Sequence, residues 1–152
     1  ARYGVTGNNV PIVDTAKAYS RYQTFHRAVL AGVIASCHDL SDGGLVVAAA
    51  ESAFAGDYGM AIDLGRVLWK GEPAGKNDAA LLFSESASRH LVTVHHENRE
   101  RFEKIMTGNC FASIGEVTAE PVLAITGLSG GMVVRADLTN LKNSWQSTLK
   151  DL

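Results

Sequence analysis

Between His38 and Ser52 the chain reads HDLSDGGLVVAAAES, which sets Asp39, Ser41, Asp42, Gly43 and Gly44 on one corner ahead of an alanine-rich helix. Glycines permit positive φ and let a ligand come close to the main chain. The free N–H groups of a helix's first turn, backed by its dipole, form a ready anion site. The chemistry open to such a corner is the holding of a phosphate or nucleotide. Beside a phosphate, Asp39 and Asp42 could share a bridging Mg2+, hydrogen-bond a ribose, or orient Lys and Arg side chains. The plainer reading is a strand-to-helix corner in which Asp42 is the N-cap and takes those N–H groups itself. The corner fits neither the Walker A nor the GxGxxG pattern, so both readings stay open.

A second stretch, LFSESASRHLVTV, places Glu85 and Ser86 in a polar, small-residue loop just before a strand. Such a loop can offer a carboxylate and hydroxyls to a ligand, or simply turn in solvent. GLSGG, from Gly127 to Gly131, looks phosphate-like, yet it lies between two strand-like runs and is read as a hairpin turn. Cys37 and Cys110 stand far apart and outside any CxxC spacing, and both are expected as reduced, buried thiols. Neither do the five histidines form a ligand set; His95 and His96 would face opposite sides of a strand and read as its solvated end.

Elements must hold these residues in place. Residues 1–13 are Gly/Asn/Pro-rich and read as an extended lead-in. Asp14 can cap a helix in which Tyr19, Tyr22, Phe25, Val29 and Val33 recur at steps of three or four, with Gly32 near its end. VIASCHD reads as a short buried strand and Gly43 to Ala55 as a helix stopped by Gly56. YGMAIDL alternates as a strand, GRVLWKGEPAGKND is irregular, and DAALLFSES is too short to assign to helix or strand by period. RHLVTVH is a strand, and ENRERFEKIMTG is a helix with Phe102, Ile105 and Met106 inward and Gly108 at its end. FASIGEVT, PVLAITG and GMVVRADL are strands, and a closing helix carries Leu141, Trp145 and Leu149 at i, i+4 and i+8. Arg89 to Thr118 is thus strand, helix, strand. With further strands after it, the expected architecture is α+β: a mostly antiparallel sheet with helices on one face.

The chain has 152 residues, enough for one domain with a sizeable core, and is 46% hydrophobic and 20% charged. A net charge of -2 leaves no basic footprint for nucleic acid. No apolar run approaches the roughly 20 residues of a membrane span. The opening ARYGVTGNNVP lacks the basic and apolar regions of a signal peptide and does not start with Met, which fits a piece of a longer protein.

In order, GNNVPIVD, SCHDLSDGGLVVAAAES, YGMAIDL, LFSESASRHLVTV, IGEV and LKNSWQSTL resemble the phosphoribosylformylglycinamidine synthase family. Within it the chain looks like the last domain of the large synthetase subunit, along nearly its whole length. The corner alone is shared more loosely with aminoimidazole ribonucleotide synthetase, selenophosphate synthetase, thiamine-phosphate kinase and a hydrogenase maturation protein. The resemblance implies a cytoplasmic, ATP-dependent ligase of purine biosynthesis. Such an enzyme converts formylglycinamide ribonucleotide, ATP and glutamine-derived ammonia into the amidine, ADP and phosphate. ATP activates the amide oxygen as an iminophosphate, which ammonia displaces.

The same resemblance implies ATP and Mg2+ as cofactors, held mostly by N-terminal synthetase domains that also carry the catalytic His. No catalytic residue and no metal ligand is therefore assigned here. Asp39, Asp42, Gly43 and Gly44 are expected near the domain interface on the nucleotide side. Glu85, Ser86 and Arg89 are expected in an acidic substrate loop facing the second, auxiliary cleft. His90 stands where the family pattern favours an aromatic. The implied partners are the N-terminal domains of the same chain and a glutamine amidotransferase domain or subunit, with neither nucleic acid nor membrane. Self-association is expected through a face that a neighbouring domain would cover. The alternatives are the C-terminal domain of another ATP-dependent enzyme of this superfamily, or a non-catalytic assembly domain.

Overall fold

The structure, a computed structural model, describes residues 13–70 and 75–147. All but the last residue of the expected lead-in, and Leu149 of the closing helix, lie outside the described residues. In chain order the elements are α1 (Thr15–Leu30), β1 (Ser36–Asp39), α2 (Gly44–Gly56), β2 (Gly59–Asp63), α3 (Asp78–Phe83) and β3 (His90–Thr93). They continue with α4 (Arg99–Ile105), β4 (Gly115–Thr118), β5 (Val122–Thr126), β6 (Met132–Asp137) and α5 (Leu138–Ser147). Single 3-10 turns at Leu64–Arg66 and His96–Asn98 follow β2 and precede α4.

The strands form two sheets: a β1–β3 ribbon, and a four-stranded sheet in the order β4-β2-β5-β6. Pairing is antiparallel except between β2 and β5, which run parallel. In that parallel register Met60 lies beside Leu123 and Ile62 beside Ile125, so all four point to one face. These four residues are buried with Leu45, Ala48, Ala49 and Phe54 of α2 and Leu138 of α5. Helices α2 and α5 therefore cover one face of the larger sheet, as expected, while α1 and α4 pack elsewhere. Asp14 caps α1 by accepting the Lys17 N–H at 3.1 Å, and Asp137 caps α5 by accepting from Thr139 and Asn140 at 2.9 and 3.2 Å. GLSGG is the β5–β6 turn, where Gly127 N–H donates to Gly131 O at 2.8 Å.

Several expectations need correction. The strand, helix, strand from Arg89 to Thr118 is not a unit of one sheet: β3 pairs with β1, and β4 with β2. The reason is that α4 does not cross the larger sheet; its Phe102, and Met106 just past its end, join Ala28 and Val33 in a second, smaller core under α1. On α1 the buried residues are Thr24 and Ala28, whereas Tyr19, Tyr22 and Val29 face solvent. Small Ala28 lets α1 seat close to α4; of the apolar stripe Phe25 packs against this core, and Tyr19, Tyr22 and Val29 are left outside it. β1 is not a buried strand, because most of its residues are exposed, and so are both thiols, Cys37 and Cys110, although both are free. Gly56 is the last helical residue of α2 and Asp57 takes the left-handed cap at φ 55°. DAALLF is helical, with Asn77 as its N-cap.

Candidate functional site

The Asp-Gly-Gly corner is built by two left-handed glycines, Gly43 at φ 80° and Gly44 at φ 67°. A Cβ on Gly44 would lie 2.8 Å from Leu82 O and Phe83 C and 2.9 Å from Ser84 O. Here the backbone that approaches the glycine is the end of α3 in the same chain. Asp42 is not the N-cap of α2: that position belongs to Gly43, with no side-chain cap, and the Asp42 side chain is exposed. The cause is the positive φ at two successive positions, which carries the chain past the geometry an Asp42 cap needs. Instead the Gly43 N–H donates to Oε1 of Glu85 at 2.8 Å. The two stretches singled out in the sequence therefore meet, and a carboxylate of one holds the helix-start N–H of the other.

The remainder of the loop is pinned from below. Arg89, half-buried, donates through Nη1 to Ser84 O at 3.1 Å and Ser84 Oγ at 2.8 Å, and burial lowers its pKa. Its own carbonyl accepts the Leu40 N–H at 3.1 Å, at the point where β1 gives way to the corner. Ser86 is exposed, and Ser88 sits at φ 63° with its hydroxyl 3.0 Å from Tyr22 Oη. The His90 ring stacks on Phe25 at 5.1 Å and meets Tyr22 edge-on at 6.0 Å. Burial holds its pKa below the ordinary value, with Asp39 pulling up and Arg21 pushing down. Asp39, Asp42, Glu85 and Ser86 are all exposed, whereas Gly44 is buried and Arg89 half-buried, and the Gly43–Glu85 bond is what ties the two stretches together.

Sequence reasoning missed an array beside this corner. His38 Nε2 lies 2.6 Å from Glu51 Oε2, and Trp145 Nε1 donates to Glu51 Oε1 at 3.0 Å. The only available signal was His38 standing directly before Asp39, with Glu51 among the alanines of α2. Trp145 also walls an open groove of about 290 Å³ between α2, α5 and the sheet, lined among others by Val46, Phe54, Leu123 and Leu141. A second groove, about 350 Å³, is lined by α1 residues alone. Neither groove is lined by a residue of the Asp-Gly-Gly corner. Among the described residues no group of three or more His, Cys, Asp and Glu gathers as a metal site.

A family model described as AIR synthase related protein, C-terminal domain, matches residues 2–127. The chain belongs to that family, and its α+β architecture is the fold of that domain. Phosphoribosylformylglycinamidine synthase subunit PurL of Lactobacillus helveticus is 33% identical over 127 residues, 84% of this chain and 15% of the relative. Thermotoga maritima PurL complexed with FGAR matches with a TM-score of 0.77 at 24% identity, over 91% of this chain and 23% of that one. T. maritima PurL complexed with ATP matches with a TM-score of 0.68 at 25% identity, over 78% and 20%. The chain therefore spans less than a quarter of each of these relatives.

Proposed function

We propose that this chain is the C-terminal domain of a phosphoribosylformylglycinamidine synthase, the ATP-dependent amidation of formylglycinamide ribonucleotide by glutamine-derived ammonia. The observation that carries the reading is the contact between Gly43 N–H and Glu85, which joins the nucleotide-side and substrate-side stretches. The 33% identity to a synthase subunit supports it, as do solved relatives that hold FGAR and ATP. Asp39, Asp42, Gly43 and Gly44 line the nucleotide side of a domain interface, and Glu85, Ser86 and Arg89 form the substrate-side loop of the auxiliary cleft. The opposite wall, the catalytic His and the Mg2+ ligands come from N-terminal synthetase domains, and ammonia comes from a glutamine amidotransferase domain or subunit. A cytoplasmic location goes with this reading, and among the described residues no helix is long and apolar enough to cross a membrane.

Holding reactants in line supplies roughly 7–11 kcal/mol of barrier reduction, and one wall cannot hold them. An exposed helix start favours an anion by only about 0.3–1 kcal/mol, against the roughly 8 kcal/mol of a micromolar site. The 152-residue chain is therefore expected to bind ADP with Mg2+ weakly at most and to form no amidine. Joined to its N-terminal domains it should support turnover, and Glu85→Ala there should raise KM more than it lowers kcat. Micromolar nucleotide binding or turnover by this chain alone, or full activity of the joined enzyme with the loop replaced by glycines, would overturn the assignment.

A further inference from the structure

Both ring nitrogens of His38 face acceptors. Nδ1 lies 2.7 Å from the Asp39 carbonyl oxygen and Nε2 lies 2.6 Å from Glu51 Oε2. A neutral imidazole carries one N–H and one lone pair, so it can satisfy one of these contacts and must set a lone pair against an oxygen at the other. An imidazolium satisfies both. The Asp39 carboxylate, 3.6 Å from Nδ1, adds a second negative neighbour.

The array continues outward. Glu51 receives the Trp145 indole N–H on its other oxygen, and the Trp145 ring packs on Phe54 at 5.7 Å. One side chain on β1 thereby touches α2 directly and α5 through a single carboxylate. The charged groups facing His38 are Asp39 from its own strand and Glu51 from α2. β3 brings Leu91 opposite it, and the one titratable side chain of β3, His90, packs on Phe25 and Tyr22 of α1. From α5 the contact is the Trp145 indole, carried by Glu51.

We propose that His38 is held as an imidazolium clamped between Glu51 and Asp39, a positioning residue whose proton ties the terminal helix α5 to the entrance of the Asp-Gly-Gly corner. The direction of the His38 pKa agrees: burial pulls it down, but the bonds to Asp39 and Glu51 and their charges outweigh that and raise it above 6.5. The proposal goes beyond the reading of the corner as a cleft wall and needs no ligand, so its failure would leave that reading untouched. It requires that the corner's main chain and the α5 indole both feel the charge on one ring.

The test is nitrogen-15 NMR of the 152-residue chain, titrated between about pH 5 and 9. The expected result is a doubly protonated His38 ring near neutrality with a midpoint above 6.5. The Trp145 indole signal and the Leu40 and Gly43 amide signals should move with the same midpoint. Glu51→Gln should lower that midpoint by at least about half a unit and release the Trp145 signal from the titration. Trp145→Phe keeps the charges, so it should leave the midpoint raised while the other α5 signals stop following it; this variant serves if Glu51→Gln fails to fold. A neutral His38 near neutrality, including one paired with a protonated Glu51, would overturn the proposal. So would a midpoint unmoved by Glu51→Gln, or corner and α5 signals that ignore the titration.

Discussion

Gly44 and Asp42 are neighbours on the corner with very different duties. Gly44 combines φ 67° with main-chain atoms 2.8–2.9 Å from where a Cβ would stand. An L-residue there meets both the left-handed penalty of roughly 1–2 kcal/mol and a clash with backbone that cannot swing away. Gly44→Ala should therefore lower unfolding free energy in urea by more than about 2 kcal/mol. Asp42→Ala removes an exposed carboxylate that caps nothing, and should stay within about 0.5 kcal/mol of the parent. Equal losses for the two variants would show that Asp42 does cap α2.

The two histidines flanking the corner respond to pH with opposite signs. His38 has its folded pKa raised above 6.5, so its stabilisation is fully present below that value and is lost as pH rises through the folded pKa. His90 has its folded pKa lowered below 6.5, so its contribution is whole above that value and is lost as pH falls toward the folded pKa. Denaturant unfolding across pH should show His38→Gln flattening the alkaline limb and His90→Phe flattening the acid limb. Crossed effects would contradict the assignment. Cys37 gives a third residue-scale test. Burial, and then Asp39, push its pKa above the ordinary 9.0, so less thiolate is present and iodoacetamide should label it more slowly than an unperturbed exposed cysteine.

At the scale of elements, local chemistry was the legible part of the sequence. Asp14 ahead of Tyr19 and Gly59 ahead of Met60 and Ile62 announced a helix and a strand, because caps and alternation act within a few residues. The partner of each element was not legible in the same way. The spacing of Tyr19, Tyr22, Phe25 and Val29 gives α1 an apolar stripe without saying which face meets α4, and Ala28 decided that through close packing. The β3–α4–β4 segment reads as one unit, yet its strands entered different sheets, since pairing depends on β1 and β2 far earlier in the chain. The candidate site shows the same division. Glycines and acids of the corner were visible, but the Gly43–Glu85 bond joins residues 42 positions apart, and the contact from Glu51 to Trp145 spans 94. The Phe54–Trp145 pair and the partly buried Leu141 make α5 a latch on α2, so Phe54→Ala should cost about 3–5 kcal/mol. A loss well below that, by thermal or urea unfolding, would mean α5 is held by its cap at Asp137 instead.

At the scale of the molecule, α1 is unusual because much of its apolar stripe points outward. Tyr19, Tyr22, Val29 and Leu30 recur at helical spacing on the side opposite Thr24 and Ala28, and Tyr19 and Leu30 are 66% and 74% exposed. Exposed apolar surface of this kind marks contact with another body. The solved and curated relatives are each more than four times as long as the part this chain matches. In the proposed synthase the cover is the rest of that longer polypeptide, at an interdomain contact of the ordinary kind. Alone, the chain keeps the face and lacks the cover, and a net charge of only -2 offers little repulsion between copies. The 152-residue chain should therefore self-associate, with light scattering giving an apparent mass that rises with concentration. Leu30→Glu places a carboxylate at the most exposed of these positions and should return the mass toward monomer without changing the far-ultraviolet circular dichroism. A chain that stays strictly monomeric at high concentration, or association unaffected by Leu30→Glu, would count against α1 as the uncovered face.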